Sequence, residues 1–310
     1  MRPPPYIREY VDLAPMTTYR IGGAARYYAN PADAQTLLRV LRWAREESAG
    51  ELPFFVLGGG SNVLISDRGF PGLILHMRGF GGGASEPTPE GIWEVGAGAK
   101  LIHWVRRASA RGFSGAEELI GIPGTIGGGL RMNAGAFSVE LGGLLESLDA
   151  ILLPDGKPPE HPEIHRILTE SVGFSYRSAP GLMNTIILRA RFRLTPGDPR
   201  KSLERIREVI AARRNRQPLE MPSCGSVFKR PPNDFAGKLI EQVGLKGMRI
   251  GGAQVSPRHA NFIVNTGGAT AQDILDLIRL IKRRVREESG VELVREVIAI
   301  GFSEDELSGT

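Results

Sequence analysis

Four stretches of this chain repeat apolar residues three and four positions apart, and each predicts an amphipathic helix. The first is Ala34, Leu37, Leu38, Leu41 and Ala44, and the second is Leu101, Ile102, Val105 and Ala108. Leu203, Ile206, Val209 and Ile210 mark a third whose other positions are rich in arginine. The fourth covers residues 271–288, with Ile274, Leu277, Ile278, Ile281 and Val285 inward and Thr270 and Asp273 placed as a capping box. Elsewhere the period drops to two. Leu188, Ala190, Phe192 and Leu194 alternate with Arg189, Arg191 and Arg193, which predicts a strand with one wet face. Short apolar runs at 53–57, 72–77, 92–95 and 151–153 read as further strands. The last of these meets Pro154-Asp155-Gly156, where proline fixes φ and glycine accepts a positive one. A closing strand is expected over 291–302, with Val294, Glu296, Ile298 and Ile300 on one face.

This order of elements reads as an α+β fold. Residues 1–16 are Pro-rich and suggest an N-terminal arm; the break at Thr195-Pro196-Gly197-Asp198-Pro199 suggests a boundary, giving segments 17–195 and 196–310. With 310 residues, 41% of them hydrophobic and 24% charged, the chain can form two or three ordered domains. The formal net charge of +5 is mild, and the basic residues gather at 200–216 among apolar positions. That stretch is either a solvated helix face or a face that meets an anionic ligand; a nucleic-acid arm would lack the interleaved apolar positions. Cys224 is the single cysteine, so no intrachain disulfide forms. No signal peptide or run of roughly 20 apolar residues is visible, and a cytoplasmic protein without a membrane segment is expected. No grouping of Cys, His and Asp has metal-ligand spacing, so no metal is expected.

The glycines change the picture most. Gly58, Gly59 and Gly60, followed by Ser61 and Asn62, come directly after a predicted strand. Successive glycines let backbone N–H groups converge on an anion without a Cβ in the way. A tight structural turn is the competing account. The loop matches neither G-x-x-x-x-G-K-[ST] nor G-x-G-x-x-G ahead of a helix, which disfavours a P-loop and an ordinary Rossmann site. A second run, Gly121, Ile122, Pro123, Gly124, Thr125, Ile126, Gly127, Gly128 and Gly129, leads to Asn133-Ala134-Gly135-Ala136. It is either a crossing between strands or backbone laid flat against a ligand. One extended phosphate-bearing ligand on both loops is the simpler reading.

LGGGSNVLI (57–65), GIPGTIGG (121–128), MNAGAF (132–137), SYRS (175–178), GSVFKRP (225–231) and REVIAIG (295–301) stand in this order. In this the chain resembles the UDP-N-acetylenolpyruvoylglucosamine reductases, flavoenzymes of peptidoglycan precursor synthesis, from about residue 17 to residue 301. The resemblance implies a two-subdomain FAD-binding module of the vanillyl-alcohol-oxidase/PCMH type, divided near 80–100, and a C-terminal substrate domain. It implies non-covalent FAD, since neither His nor Cys occurs in the 57–65 loop, and NADPH as co-substrate. The implied reaction adds hydride to C3 of the enolpyruvyl ether and a proton to C2, giving UDP-N-acetylmuramate.

Hydride addition at C3 leaves negative charge at C2, spread into the carboxylate, so the site needs a cation and a proton source. By motif match Ser226 is the proton donor, with Lys229 and Arg230 following closely. Arg177 and Glu296 are expected to bracket the enolate: arginine offers a planar fork for a carboxylate. Glu296, between apolar neighbours on the predicted strand, is expected to have a raised pKa and to share a proton. An acid paired with Arg295 is the alternative. Tyr176 is a candidate for packing on flavin or sugar, with core packing as the alternative. Tyr19 and Arg20 match the segment that opens the flavin module, and Asn133 joins the flavin set. Arg213 and Gln217 are candidates for the UDP pyrophosphate, while His259 is expected to be structural. Two positions depart from the family pattern: Cys224, where alanine is common, and Asn261, where glycine is common. The short interval from Ser226 to Glu296 indicates the shorter family type, whose pocket would be closed by 1–16 or 247–256. Two other readings stay open. One is a flavin oxidase or dehydrogenase acting on an alcohol or sugar. The other is a basic nucleic-acid-binding protein, which the resemblance makes remote. A monomer or weak oligomer is expected.

Overall fold

The computed structural model describes residues 3–47 and 51–310. The chain divides into two compact units, each assembled from separated segments. The first comprises Met1–Glu9, Tyr27–Gly59 and Gly72–Ala212; the second comprises Tyr10–Arg26, Gly60–Pro71 and Arg213–Thr310.

In the first unit the helix Ala34–Glu47 forms where the periodicity predicts it. It buries Leu37, Val40, Leu41, Trp43 and Ala44 in one cluster with Ile7, Tyr27, Leu73 and Leu75. Phe54–Leu57 runs parallel to Phe70–His76 in the register Phe54↔Leu73. A second sheet has the order Ile164–Leu168, Leu145–Leu152, Thr185–Arg193, Ile92–Gly96, antiparallel throughout. Its inner face carries Leu148, Ala150, Ala190, Phe192 and Trp93. Against it packs the helix Leu101–Ala110, with Trp104 tilted on Phe192 at 4.5 Å between ring centroids. The alternation over 188–194 is realised: the apolar residues are buried and the arginines pair on the outer face.

The basic helix runs over Pro199–Arg216, and its buried residues are Ser202, Ile206 and Val209. Leu203, expected on the inward stripe, is exposed. Ser202 takes that place because it has polar partners inside: its hydroxyl donates to Glu117 at 2.5 Å and lies 3.0 Å from the Ser114 hydroxyl. The boundary expected at 195–199 is a turn within this unit, where Thr195-Pro196 pairs with Phe113-Ser114. Within the expected N-terminal arm, Arg8–Asp12 is a strand and Ile7 is buried in the helix cluster. Met1 and Arg2 of that arm lie outside the described residues.

In the second unit the helix Ala271–Ser289 carries the expected capping box and ends on Gly290 in the left-handed conformation. Its stripe packs with Tyr19, Leu64, Phe228 and Ile240. Residues 247–256 contain a hairpin, Arg249–Ile250 against Ala253–Val255, continued by Ile263–Asn265. The closing strand is shorter than expected. Only Ile298–Ile300 forms a ladder, parallel to Val63–Ile65. Before it, Arg295 bridges Phe228, and Val294 is 57% exposed. A different partner segment therefore sets 294–296, and the single apolar face expected from 294 to 300 does not form.

Candidate functional site

The two glycine loops meet in the first unit. An added Cβ at Gly58 would stand 2.7 Å from the Thr125 hydroxyl, and one at Gly59 would stand 2.6 Å from the Gly124 Cα. Only glycine permits so close an approach at either position. The second loop is pinned from behind: Leu101 donates to Gly124 O, Ile126 to Ala99 O and Gly127 to Ala97 O. Thr125 then caps the short helix Ile126–Arg131, its hydroxyl accepting from the Gly128 amide at 3.4 Å. Gly121 closes the turn Glu117–Gly121, and the Ile122 amide donates back to Leu119; Pro123 follows ahead of Gly124. Neither the Gly59 nor the Gly60 amide donates to a backbone carbonyl in the loops and turns of the described residues. Gly60 is a buried residue, so a ligand acceptor for an amide there fits the chemistry of the loop. The cradle therefore suits the pyrophosphate of a dinucleotide.

Arg131, at the end of that short helix, was not singled out from the sequence. Burial pulls its pKa down, and no carboxylate offsets the effect among the described residues. A half-buried cation without a protein anion also suits a phosphate-bearing ligand. A cation inside a glycine-rich run was the available signal.

The same unit joins MNAGAF to SYRS. Ser175 and Ser178 exchange backbone hydrogen bonds at 3.1 and 3.0 Å, closing a tight turn with Tyr176 and Arg177 at its tip. Arg177 takes a left-handed φ of 52°, and its guanidinium donates to Gly135 O at 3.0 Å. It also lies over the Tyr176 ring, 5.1 Å from the centroid. Asn133, expected among the flavin ligands, uses its side chain on protein partners. It donates to Ser175 O and Glu140 and accepts from the Gly142 amide. Its amide thus holds the two loops together.

In the second unit, GSVFKRP lies between two clamps. On one side Asn261 accepts from Val227 through its carbonyl, at 2.8 Å, and from Phe228 through its side-chain oxygen, at 3.0 Å. Its side-chain nitrogen donates to Phe228 O at 2.9 Å. On the other side Lys229 donates to Val294 O at 2.9 Å and Glu296 donates to Val227 O at 2.8 Å. Ser226 is therefore one residue from the pairing partner of Glu296. Asn62 extends this arrangement: its side chain donates to Glu296 O at 3.1 Å and its carbonyl accepts from Ile298 at 3.0 Å. Ser61 precedes it, half-buried. Arg230 lies over the Phe235 ring at 4.6 Å.

Tyr19 is fully buried, its carbonyl accepting from Asn265 at 3.0 Å and its hydroxyl without a hydrogen-bond partner among the described residues. Burial raises its pKa well above the ordinary phenol value. Arg20 follows at a left-handed φ of 57°. Arg213 Nε, Gln217 Oε1 and Arg295 Nη1 are likewise buried without a partner among the described residues, and burial lowers the pKa of both arginines. Arg213 and Gln217 were expected to meet an anion; Arg295 was not, because sequence carries no measure of its burial. His259 is structural, its Nδ1 accepting from the Asn261 amide at 3.2 Å; burial lowers its pKa.

Residues 25–158 match the FAD binding domain family, and residues 217–300 match the family "UDP-N-acetylenolpyruvoylglucosamine reductase, C-terminal domain". The chain is 44% identical to the UDP-N-acetylenolpyruvoylglucosamine reductase of Prochlorococcus marinus over 94% of its own length and 92% of that protein's. The enzyme of the same name from Myxococcus xanthus is 41% identical, covering 93% of this chain and 90% of its own. The crystal structure of the Thermus caldophilus UDP-N-acetylenolpyruvylglucosamine reductase superposes with a TM-score of 0.76 at 36% identity, covering 95% of this chain and all of that one.

Proposed function

The chain belongs to the UDP-N-acetylenolpyruvoylglucosamine reductase family, and from that premise we propose how its own residues carry the reaction. It is an FAD-dependent oxidoreductase that reduces the enolpyruvyl ether of UDP-N-acetylglucosamine to UDP-N-acetylmuramate for peptidoglycan synthesis. Bound flavin, reduced by NADPH, supplies the hydride that reaches C3 of the enolpyruvyl group.

Gly58, Gly59 and Gly60 with Gly124 and Thr125 receive the flavin pyrophosphate on backbone donors, with Arg131 offering charge. Arg177 meets the substrate carboxylate; its bond to Gly135 O fixes the direction of the fork. Hydride addition drives negative charge from C3 toward C2 and the carboxylate, and a guanidinium there lowers the energy of that charge. Ser226 gives its hydroxyl proton to C2. Glu296 is assigned to the same enolate, sharing a proton with it. Lys229 and Arg230 stabilise the serine oxygen after transfer, and Arg213 with Gln217 holds the UDP pyrophosphate. The observation that supports the acid pair best is the 2.8 Å bond from the Glu296 amide to Val227 O, next to Ser226. A cytoplasmic setting, no nucleic-acid partner and a monomer or weak oligomer complete the proposal. Among the described residues no helix is long and apolar enough to cross a membrane.

The test separates the half-reactions. Under anaerobic conditions NADPH bleaches the flavin, and the enolpyruvyl substrate restores its absorbance. Ser226→Ala leaves bleaching unchanged and slows restoration by about 10²–10⁴-fold, the range of positioned acid catalysis. Restoration at the wild-type rate removes Ser226 as the proton donor.

A further inference from the structure

The first glycine loop has a support that the reaction chemistry does not use. His76 ends the strand Phe70–His76 and is 2% exposed. Its Nε2 lies 3.0 Å from Gly58 O, and its Nδ1 lies 2.7 Å from the Tyr28 hydroxyl. A carbonyl only accepts, so Nε2 carries the hydrogen. Burial, with Arg78 adding to it, brings the His76 pKa down to about 4 and keeps the ring neutral near pH 7. Nδ1 then accepts and Tyr28 donates. The charged groups acting on the pair are the cations Arg78 and Arg8, the latter over the Tyr28 ring at 4.7 Å. The backbone around the ring is fixed as well. With its amide nitrogen turned toward the strand, Asn30 donates to His76 O at 2.8 Å and to Arg78 O at 3.1 Å.

Gly58 O and the Gly59 N–H belong to one planar peptide unit and point in opposite directions. A bond that fixes the carbonyl therefore aims the amide away from His76. Two adjacent glycines lack the steric restraint that would otherwise set this peptide plane. We propose that the Tyr28–His76 pair is a positioning relay that sets the Gly58–Gly59 peptide and so presents the Gly59 amide to the flavin pyrophosphate. The inference rests on the flavin reading.

The experiment follows release of FAD from the holoenzyme by recovery of flavin fluorescence after dilution. His76→Leu removes the donor and releases FAD about tenfold faster, the scale of one hydrogen bond. His76→Gln can still donate to Gly58 O and accept from Tyr28, and releases FAD within about threefold of wild type. The double variant Tyr28→Phe/His76→Leu releases no faster than His76→Leu alone, because the two side chains act in series. Where His76→Leu does not fold, Tyr28→Phe, which deletes one oxygen, carries the test with release at least about threefold faster. Wild-type release from Tyr28→Phe or His76→Leu overturns the relay, and so does release from His76→Gln as fast as from His76→Leu. A wild-type protein purified without flavin overturns the flavin reading itself.

Discussion

Cys224 is the chain's single thiol, and its surroundings make it a packing residue. It is buried, with Sγ 3.3 Å from Val63 O and 3.7 Å from the Thr18 hydroxyl, and burial pushes its pKa up to about 12. Iodoacetamide at pH 8 is therefore expected to leave the native protein unlabelled and to label it once unfolded; mass spectrometry decides. His76 makes a pH prediction. Its folded pKa is lowered to about 4 from an ordinary 6.5, so its contribution is fully present above about 6.5 and is lost as pH falls toward 4. That contribution is on the order of 3 kcal/mol, and urea titrations of wild type and His76→Gln should diverge through this window. Gly59→Ala places a methyl 2.6 Å from Gly124 Cα, where backbone would have to move. The variant should purify with flavin content well below wild type, read as the ratio of flavin to protein absorbance. At this scale the motif order is what proposes Arg177, Ser226 and Glu296 for the chemistry. His76 was read only as part of an apolar strand, since its two partners lie 18 and 48 residues away in sequence. Arg131 and Arg295 were overlooked for a related reason: what distinguishes them is burial without an anion.

Among elements, those whose pattern is set by one continuous buried face were the most legible. The helices at 34–47, 101–110 and 271–289 follow their stripes, and the last has its capping box and glycine end. The segment 291–300 failed that reading because it changes partners midway, from residues 227–229 to 63–65. Leu203 failed it because a serine with a polar partner displaced an apolar side chain from the buried face. The arginines of Thr185–Arg193 were read as wet, and they are organised around acids on flanking strands. Arg191 forms a two-bond pair with Asp149 at 3.0 and 3.0 Å and also meets Glu94 at 2.7 Å. The Arg191 hydrogen bonds hold the Asp149 carboxyl below its ordinary pKa. Its stabilisation is thus present above the ordinary value near 4 and fades as pH falls through the lower folded one. Asp149→Ala should cost roughly 1–3 kcal/mol at pH 7, with the gap to wild type narrowing as pH falls below the ordinary carboxylate value in urea unfolding.

At the scale of the molecule, the α+β class was visible because helix and strand periods are both strong; the glycine loops pointed to a phosphate-bearing ligand, and the order of the motifs made that ligand a flavin. Assembly from interleaved segments was not visible, because nothing in local periodicity records which distant strand completes a sheet. Val63–Ile65 finds its parallel partner in Ile298–Ile300, after nearly the whole intervening chain. During synthesis the ribosome must have polymerised the chain as far as Ile298–Ile300 before this pair can form. At about 5–20 residues per second, Val63–Ile65 waits at least ten seconds or so for that partner. A chain that stalls before Ile298 would leave this apolar strand without its partner, a target for chaperones and proteases.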